Sequence, residues 1–271
     1  MKWFAALNAK VATRRAYRWT VALTGSLVVI AIVWLALGSK QSYAAIPLSD
    51  MIRAFIKDWT SSDLRVDFVP SITRLAIGYA IAVVGSIIVG FVLASAKPAR
   101  LMFSPIIAFL RSMPPLAVLP VFLVVFGVGD EMRVMFIVFV CTWPILLNVM
   151  DGLSELDAVM LSAARSYRIT GTRKLFSILL PAVSPRILTG MRTSLSLAVL
   201  ALVGSEMMGS ANGIGYLLFN AQESFRISDM WAAAIMLGLL GYVLNIGLTA
   251  VEAQTLRRHG IARRDYVRRG E

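Results

Sequence analysis

About six apolar stretches recur along the chain of 271 residues, and each is long enough to cross a lipid bilayer. A helix rises about 1.5 Å per residue, so roughly 20 apolar residues span the hydrocarbon core. Inside a bilayer the backbone must satisfy its own hydrogen bonds, so each stretch is predicted to be a transmembrane helix. The fold class is therefore an all-α polytopic membrane protein, with helices near residues 20–37, 72–94, 103–126, 134–150, 188–208 and 231–251.

Composition supports the same class. The chain is 58% hydrophobic and 15% charged, and its mean hydropathy is +0.75, which is too apolar for a soluble domain. Its single cysteine, Cys141, lies in the fourth apolar stretch and its single histidine, His259, near the C-terminus. No disulfide framework or cysteine-based metal site follows from one cysteine. We expect no cofactor and no metal in this chain.

The net charge of +12 is distributed unevenly. With an even number of spans and both termini in the cytoplasm, most lysines and arginines fall on the cytoplasmic side, as the positive-inside rule requires. The predicted organisation is a basic cytoplasmic N-terminus (1–19), a six-span transmembrane domain (20–251) with a cytoplasmic loop (151–185), and a basic cytoplasmic tail (252–271). The tail is interpreted as an orientation signal attracted to anionic membrane lipid rather than as a nucleic-acid-binding segment.

A short amphipathic helix is predicted outside the membrane, within residues 38–71. Ser49 and Asp50 are suited to cap its start, and apolar residues follow at helical spacing from Met51 to Trp59. The pattern is typical of a helix that lies at the membrane interface, and it is compatible with contact to an external partner.

The third apolar stretch carries a sign of transport. Arg111, Met113, Pro114, Pro115 and Pro120 interrupt it, and each interior proline costs roughly 3 kcal/mol in a regular helix. A broken helix survives at membrane depth where protein or a water-filled cavity satisfies the freed backbone groups. Discontinuous helices of this kind line substrate paths in transporters. We expect this segment to line a translocation path.

Arg111, Arg74 and Glu206 lie within apolar stretches, where charge is costly and points to function. Arg111 is eight residues inside its stretch, or about 12 Å deep. It contacts an anion or gates the path, or it forms a structural ion pair. Arg74 and Glu206 fall near the outer ends of their stretches. There each could reach the membrane interface, the two could pair with each other, or both could border the translocation path.

The loop after the fourth stretch has two apolar stripes at helical spacing. One runs from Leu156 to Tyr167, and the other runs from Leu175 to Pro181, with Gly171 between them. This pattern predicts two short helices, followed by a fifth span that Ser184 caps and Pro185 begins. The stripes either pack on the protein's own spans or press into a groove on a partner.

This loop resembles the cytoplasmic coupling loop of ATP-driven importer permeases. The family pattern is Glu-Ala-Ala-x3-Gly-x9-Ile-x-Leu-Pro. Its Ala-Ala pair and its final Ile-x-Leu-Pro recur here at the same spacing. Ser162 stands in place of the acidic residue, and Arg168 stands in place of the turn glycine. Gly171 could make the turn in place of that glycine. The resemblance implies that the following residues contact an ATPase: Ser162, Ala163, Ala164, Arg165, Tyr167, Arg168, Gly171, Ile178, Leu180 and Pro181.

Further segments resemble permeases for nitrate, taurine, alkanesulfonate and related oxyanions: residues 110–120, 126–129, 187–192, 204–207 and 213–215. The resemblance implies a six-span type I importer fold of the MetI-like kind in the cell inner membrane. It also implies a second permease copy, most simply a homodimer, two cytoplasmic ATPase subunits, and an external solute-binding protein. The chain has no Gly-x4-Gly-Lys-Ser/Thr phosphate loop, so ATP and Mg are expected in the partner ATPase and this chain is not expected to be an enzyme.

Three other functions are compatible with parts of this pattern. An ion-coupled secondary transporter would need no ATPase, but such carriers usually have paired broken helices and central acidic residues. A membrane scaffold would explain the striped loop and would leave the prolines of the third stretch unexplained. An importer of the same fold for a non-anionic solute is the third alternative.

Overall fold

The computed structural model describes residues 48–60 and 64–258, and these residues are almost entirely helical, with no strand among them. Residues 1–52 and 53–271 form two compact units; only residues 48–52 of the first are described, and the second holds all the features below. We number the described helices α1 (Leu48–Thr60), α2 (Leu64–Ser95), α3 (Lys97–Ser112), α4 (Pro115–Phe126), α5 (Asp130–Ser154), α6 (Ala158–Ser166), α7 (Gly171–Met207), α8 (Ile214–Glu223) and α9 (Ile227–Arg258).

The predicted membrane helices are confirmed wherever the structure describes them. Four helices are long and apolar enough to cross a membrane: Arg65–Ser95, Asp130–Ser154, Gly171–Met207 and Ile227–Thr255. The third predicted stretch is a bent pair, Pro98–Ser112 and Pro115–Phe126, whose axes differ by 100°. The predicted first span, residues 20–37, lies outside the described residues, as do the N-terminus and residues 259–271. The predicted external helix corresponds to α1.

The bent pair carries the chain from one end of the bundle to the other. Gly78 of α2 approaches Ile137 of α5, and Gly90 further along α2 approaches Val149 further along α5. The two helices therefore run parallel. The chain between them must therefore return across the bundle. It does so through α3, which begins where Arg100 lies 3.9 Å from Asp151, and α4, which ends close to the loop after α7. The predicted break falls at Met113 and Pro114, whose extended backbone separates the two helices.

The core of the described bundle lies where α5 meets α2 and α7. Its buried side chains come mainly from these helices, with further contributions from α4, α8 and α9. Small residues let the backbones approach closely, as is usual between membrane helices. The largest of its fully buried side chains are Leu119, Phe136, Ile137, Cys141, Leu202, Ile214 and Met236.

Helix α7 corrects two predictions. The second short helix was expected to end at Pro181, and a new span was expected to begin at Ser184 and Pro185. Instead one helix runs from Gly171 to Met207 through both prolines. Leu175–Leu179 forms a π-helical turn, in which the Leu180 N–H donates to the Leu175 carbonyl. This wider turn relieves the clash between the ring of Pro181 and the backbone carbonyl of the preceding turn. Ser184 is an interior residue that donates to the Pro181 carbonyl at 2.8 Å.

Candidate functional site

The connection between α5 and α7 forms a surface at one end of the bundle. We call residues 155–181 the coupling segment. Asp157 caps the start of helix α6. Its carboxylate accepts the Val159 N–H at 2.8 Å and so satisfies a free donor of the first turn. Glu155 accepts a hydrogen bond from Arg186 at 2.5 Å. That ion pair ties the start of the segment to α7.

Helix α6 has one face on the protein and one face open. Ala164 is only 3% exposed, whereas Val159 is 71% and Tyr167 80% exposed. Ala163 is exposed beside them. A small side chain between exposed apolar ones lets another surface approach the helix backbone. Ala164 therefore packs inward and Ala163 faces outward. Contact of the outward face with a groove on a partner stays a prediction.

The turn after α6 uses two residues in the left-handed region. Arg168 has φ 52° and Gly171 has φ 59°. The Tyr167 and Ile169 N–H groups donate to the Ala163 and Ala164 carbonyls, at 3.0 and 2.9 Å, and so close the end of α6. Arg168 thus adopts the turn conformation that a glycine usually takes, while Gly171 makes a second turn that opens α7.

The bend between α3 and α4 borders a cleft of about 230 Å³. Arg111, Met113 and Pro115 line one side, and residues of α5 and Leu197 of α7 line the other: Phe139, Val140, Trp143, Pro144 and Leu147. Pro114 is exposed at the bend itself. The structure therefore gathers these predicted path residues around one opening, which we call the Arg111 cleft.

Arg111 is exposed at the rim of this cleft. Within residues 48–60 and 64–258 its guanidinium has no hydrogen-bond or ion-pair partner. Arginine presents five N–H donors in a planar fork that matches carboxylate, sulfonate or phosphate oxygens. The described residues thus supply no internal anion for Arg111, and the group is available to a ligand or a partner.

Arg74 and Glu206 lie elsewhere, in a buried cluster at the far end of the bundle from the coupling segment. Arg74 Nη1 donates to Glu206 Oε1 at 2.8 Å, and Arg74 Nη2 lies 2.7 Å from Asp130 Oδ1. Arg74 is 4% exposed and Glu206 0%. They pair with each other, which was one of the alternatives, and neither lines the Arg111 cleft. A buried charge is tolerated where it is paired and hydrogen-bonded.

The same cluster caps the start of α8. The N–H groups of Gly213, Ile214 and Gly215 donate to Asp67, Ser71 and Glu206, at 2.8, 2.9 and 2.9 Å. Carboxylates at a helix N-terminus satisfy its free donors and complement its dipole. Side chains from α2 and α7 thus hold the loop before α8 in place.

Two further residues complete this polar cluster. Asn212 accepts from Arg74 through its side-chain oxygen, at 2.6 Å, and through its carbonyl, at 3.1 Å. Arg133 is 4% exposed and donates to the Gly209 carbonyl at 3.0 Å. We call these residues the polar cluster: Asp67, Ser71, Arg74, Asp130, Arg133, Glu206 and Asn212.

The predicted site residues thus fall into three places. The coupling segment holds the ten predicted loop residues, the Arg111 cleft holds the proline-rich ones, and the polar cluster holds Arg74 and Glu206. Sequence reasoning missed the other members of the polar cluster: Asp67, Ser71, Asp130, Arg133 and Asn212. Asp130 and Asn212 carried only local turn or cap signals, beside Gly129 and Gly213, and such signals do not identify a distant partner.

Comparison with known families gives one match that covers most of the chain. Residues 82–257 match the family model described as "Binding-protein-dependent transport system inner membrane component". The chain is 28% identical, over 90% of its length and 89% of the relative, to a putative aliphatic sulfonates transport permease of Bacillus subtilis. It is 31% identical to a nitrate import permease of Synechocystis, over 72% of this chain and 70% of that relative. It is 25% identical to the taurine transport system permease of Escherichia coli, over 94% and 98%.

Solved structures agree on the fold. The chain is similar to one chain of the MetNI methionine ABC transporter, crystallised in an inward-facing conformation. The TM-score is 0.59 and the sequence identity 17%, with 78% of this chain covered and 99% of that chain. At this identity the likeness concerns the fold. The MetI-like permease architecture expected from the sequence is thereby confirmed.

Proposed function

Because the chain belongs to the family of binding-protein-dependent transport system inner membrane components, we propose that it is the membrane-spanning subunit of an ATP-driven importer for a small anionic solute. The full transporter would contain a second copy of this chain, two cytoplasmic ATPase subunits that bind ATP and Mg, and an external solute-binding protein. Both termini would lie in the cytoplasm. ATP hydrolysis would belong to the ATPase subunits.

The open face of α6 is the observation that supports contact with an ATPase subunit. An exposed alanine flanked by Val159 and Tyr167 suits a partner that presses against the helix, and Phe176 adds an exposed apolar side chain, at 64%, after the turn. Arg165 and Arg168 surround the apolar surface with positive charge. A groove with apolar walls and an acidic rim on the ATPase would complement this face.

Movement of α6 has a direct route into the membrane. Glu155 joins the segment to Arg186 of α7, and α7 is one helix of 37 residues, or about 55 Å at the usual rise. A shift at the coupling segment therefore becomes a rigid-body tilt of α7. Such a tilt changes which side of the membrane the path faces when ATP binding closes the ATPase pair.

Replacing Ala163 with glutamate tests the coupling surface. We expect at least a tenfold loss of both ATPase co-purification and ATP-dependent uptake, because a long charged side chain prevents close approach. The helix itself should be unaffected, since Ala163 is exposed. The measurement is mild-detergent purification from native membranes, with mass spectrometry of the associated chains and uptake assays in vesicles.

Ala158→Glu is the matched control. It places the same side chain on the same helix, roughly 140° from Ala163 at 100° per residue, and an acidic residue suits the first turn. ATPase binding and uptake should remain near normal in this variant. Equal behaviour of the two variants, or uptake that persists without any ATPase, would contradict the proposal and favour a secondary transporter.

Arg111 is the residue that supports an anionic solute. A hydrogen bond to a charged group contributes about 1.5–3 kcal/mol, so Arg111→Met should lower the uptake of the anion about tenfold to a hundredfold. Arg111→Lys, which keeps the charge, should retain more activity than Arg111→Met. Uptake of sulfonate, taurine, nitrate and bicarbonate is measured in a panel. Unchanged uptake of the transported solute in Arg111→Met would show that Arg111 does not bind it, and absence of uptake of all four solutes would favour a non-anionic substrate.

A further inference from the structure

Helix α9 is joined to α7 on the side of the bundle that carries the coupling segment. Arg192 of α7 forms an ion pair with Glu252 of α9 and donates to the Thr249 hydroxyl at 3.2 Å. We call this contact the Glu252 clamp. Arg192 lies six residues after Arg186, which pairs with Glu155 of the coupling segment, so about 9 Å of helix separates the two contacts. The coupling segment and α9 thus hold the same short stretch of α7.

The Glu252 clamp lies where α9 leaves the membrane. The apolar stretch of α9 runs from residue 231 to residue 251, and roughly 20 residues of helix cross the hydrocarbon layer. Glu252 therefore lies at the edge of that layer. Its side chain is 29% exposed and that of Arg192 is 48% exposed. A partly exposed ion pair changes an equilibrium by at most about fivefold, so the clamp opens at little free-energy cost.

The chain that follows the clamp carries paired arginines. Helix α9 ends at Arg258, and we call residues 257–271 the arginine-rich tail. Its sequence has six arginines and two acidic residues, and the arginines form three adjacent pairs, at 257–258, 263–264 and 268–269. Ile261, Tyr266 and Val267 lie between the pairs. An orientation signal needs only basic residues near the end of a span, and it does not account for apolar residues between them.

Anionic phospholipid is the partner that this pattern fits. Clusters of about four to eight basic residues directly after a membrane helix are typical of segments that bind anionic headgroups, and each basic residue near the surface strengthens the binding about fivefold. Guanidinium groups bind phosphate through paired N–H donors. Apolar and aromatic side chains between the charges insert at the boundary of headgroups and acyl chains. The tail begins at that boundary, because α9 leaves the hydrocarbon layer only about two turns earlier.

We infer that the arginine-rich tail binds anionic phospholipid at the cytoplasmic membrane surface and thereby raises the amount of solute moved per ATP hydrolysed. This inference rests on the proposed function. A bound tail fixes the end of α9 against the membrane, and the Glu252 clamp then makes Arg192 a pivot for α7. When the coupling segment moves, α7 tilts about this pivot and does not shift sideways as a whole. More of each movement at the coupling segment therefore reaches the outer end of α7.

The test uses the complete transporter, reconstituted with its ATPase and solute-binding protein in vesicles. The vesicles contain phosphatidylcholine alone or phosphatidylcholine mixed with phosphatidylglycerol, which is anionic. One variant replaces four arginines of the tail with glutamine, and the matched control replaces the same four with lysine, which keeps the charge: Arg263, Arg264, Arg268 and Arg269. Glu252→Gln opens the clamp and leaves the tail unchanged.

Two quantities are measured in each kind of vesicle. The first is solute import per ATP hydrolysed, for the solute that the uptake panel identifies. The second is attachment of the tail to the bilayer, which is followed by an environment-sensitive fluorophore on Val267→Cys. The native Cys141 is 0% exposed and serves as the unlabelled background.

We expect phosphatidylglycerol to raise import per ATP about twofold to fivefold in the wild type and in the lysine control, a range set by the weakness of the clamp. The fluorophore should shift to shorter wavelength in the same vesicles. The glutamine variant should lose both responses. Glu252→Gln should keep the fluorescence shift and lose the rise in import, which separates lipid binding from its transmission to α7.

Import by the wild type that is equal or slower in the anionic vesicles would overturn the inference, and so would a rise in import that survives in Glu252→Gln. Unchanged fluorescence in the presence of phosphatidylglycerol, with loss of the ATPase from the purified glutamine variant, would also overturn it, since the tail would then bind protein. These results in a transporter that still imports solute refute only this inference. Absence of any ATP-dependent import refutes the proposed function.

Discussion

Replacement of Glu206 by alanine is expected to destabilise the folded protein by about 3–5 kcal/mol. Glu206 is fully buried and accepts hydrogen bonds from Arg74, Ser71 and the Gly215 N–H. Without the carboxylate, the exposed Asp130 is the one counterion that Arg74 keeps among the described residues, and a backbone donor of α8 is left unpaired in the interior. An unsatisfied buried donor adds its own desolvation penalty.

The measurement is the thermal unfolding of the purified protein in detergent, followed by size-exclusion chromatography of the heated samples. Glu206→Gln, which keeps the shape and part of the hydrogen bonding, should lie between the wild type and the alanine variant. Glu155→Ala is the matched control, because its ion pair with Arg186 is half exposed on both sides and contributes at most about 1 kcal/mol. Equal losses in Glu206→Ala and Glu155→Ala would show that the polar cluster is not a structural centre.

Replacement of Gly78 by alanine is expected to destabilise the protein by about 1–3 kcal/mol. An added Cβ would lie 2.9 Å from Ile137 Cβ and 3.0 Å from the Val134 carbonyl oxygen. Neither neighbour can rotate away, because one is the branching carbon of a stiff side chain and the other is backbone. Helices α2 and α5 must therefore separate along the core of the bundle.

Gly85→Ala on the same helix is the control for this substitution. No atom lies within 4 Å of a Cβ added there, so the change should be neutral or stabilising by up to about 1 kcal/mol through helix propensity. Thermal unfolding and uptake are measured for both variants. A melting temperature for Gly78→Ala equal to that of Gly85→Ala would mean that α2 and α5 do not pack as described.

The parts of the fold that depend on local chemistry were predictable. Apolar length located the membrane helices in the described region, and the prolines at 114 and 115 located the break in the third. Helical spacing of apolar residues from Met51 onward located α1, but the helix begins at Leu48, so Ser49 and Asp50 lie within its first turn and not at a cap. The pairing of Arg74 with Glu206 could be named as an alternative because alternating topology places both near one end of the bundle.

The parts that depend on packing were not predictable. Helix α7 continues through Pro181 and Pro185 because a π-helical turn and contacts along the bundle compensate for the missing N–H groups, and local propensity alone predicts a break there. Arg168 adopts a positive φ, which an arginine does not itself favour; only its place at the turn-glycine position of the family pattern pointed to it. Asp130 reaches the polar cluster across 56 residues of chain, a separation that no local pattern encodes.

Hydropathy, proline and helical spacing act over short ranges, so the amino-acid order alone predicted an all-α membrane protein, the break in its third apolar stretch, and the loop that resembles an importer's coupling loop. The packing of the helices settled which side of each helix is open. It assigned Ala164 to the interior and Ala163 to the surface, and it separated Arg74 and Glu206 from the Arg111 cleft. These outcomes depend on which helices meet, and that is set by packing over the whole bundle.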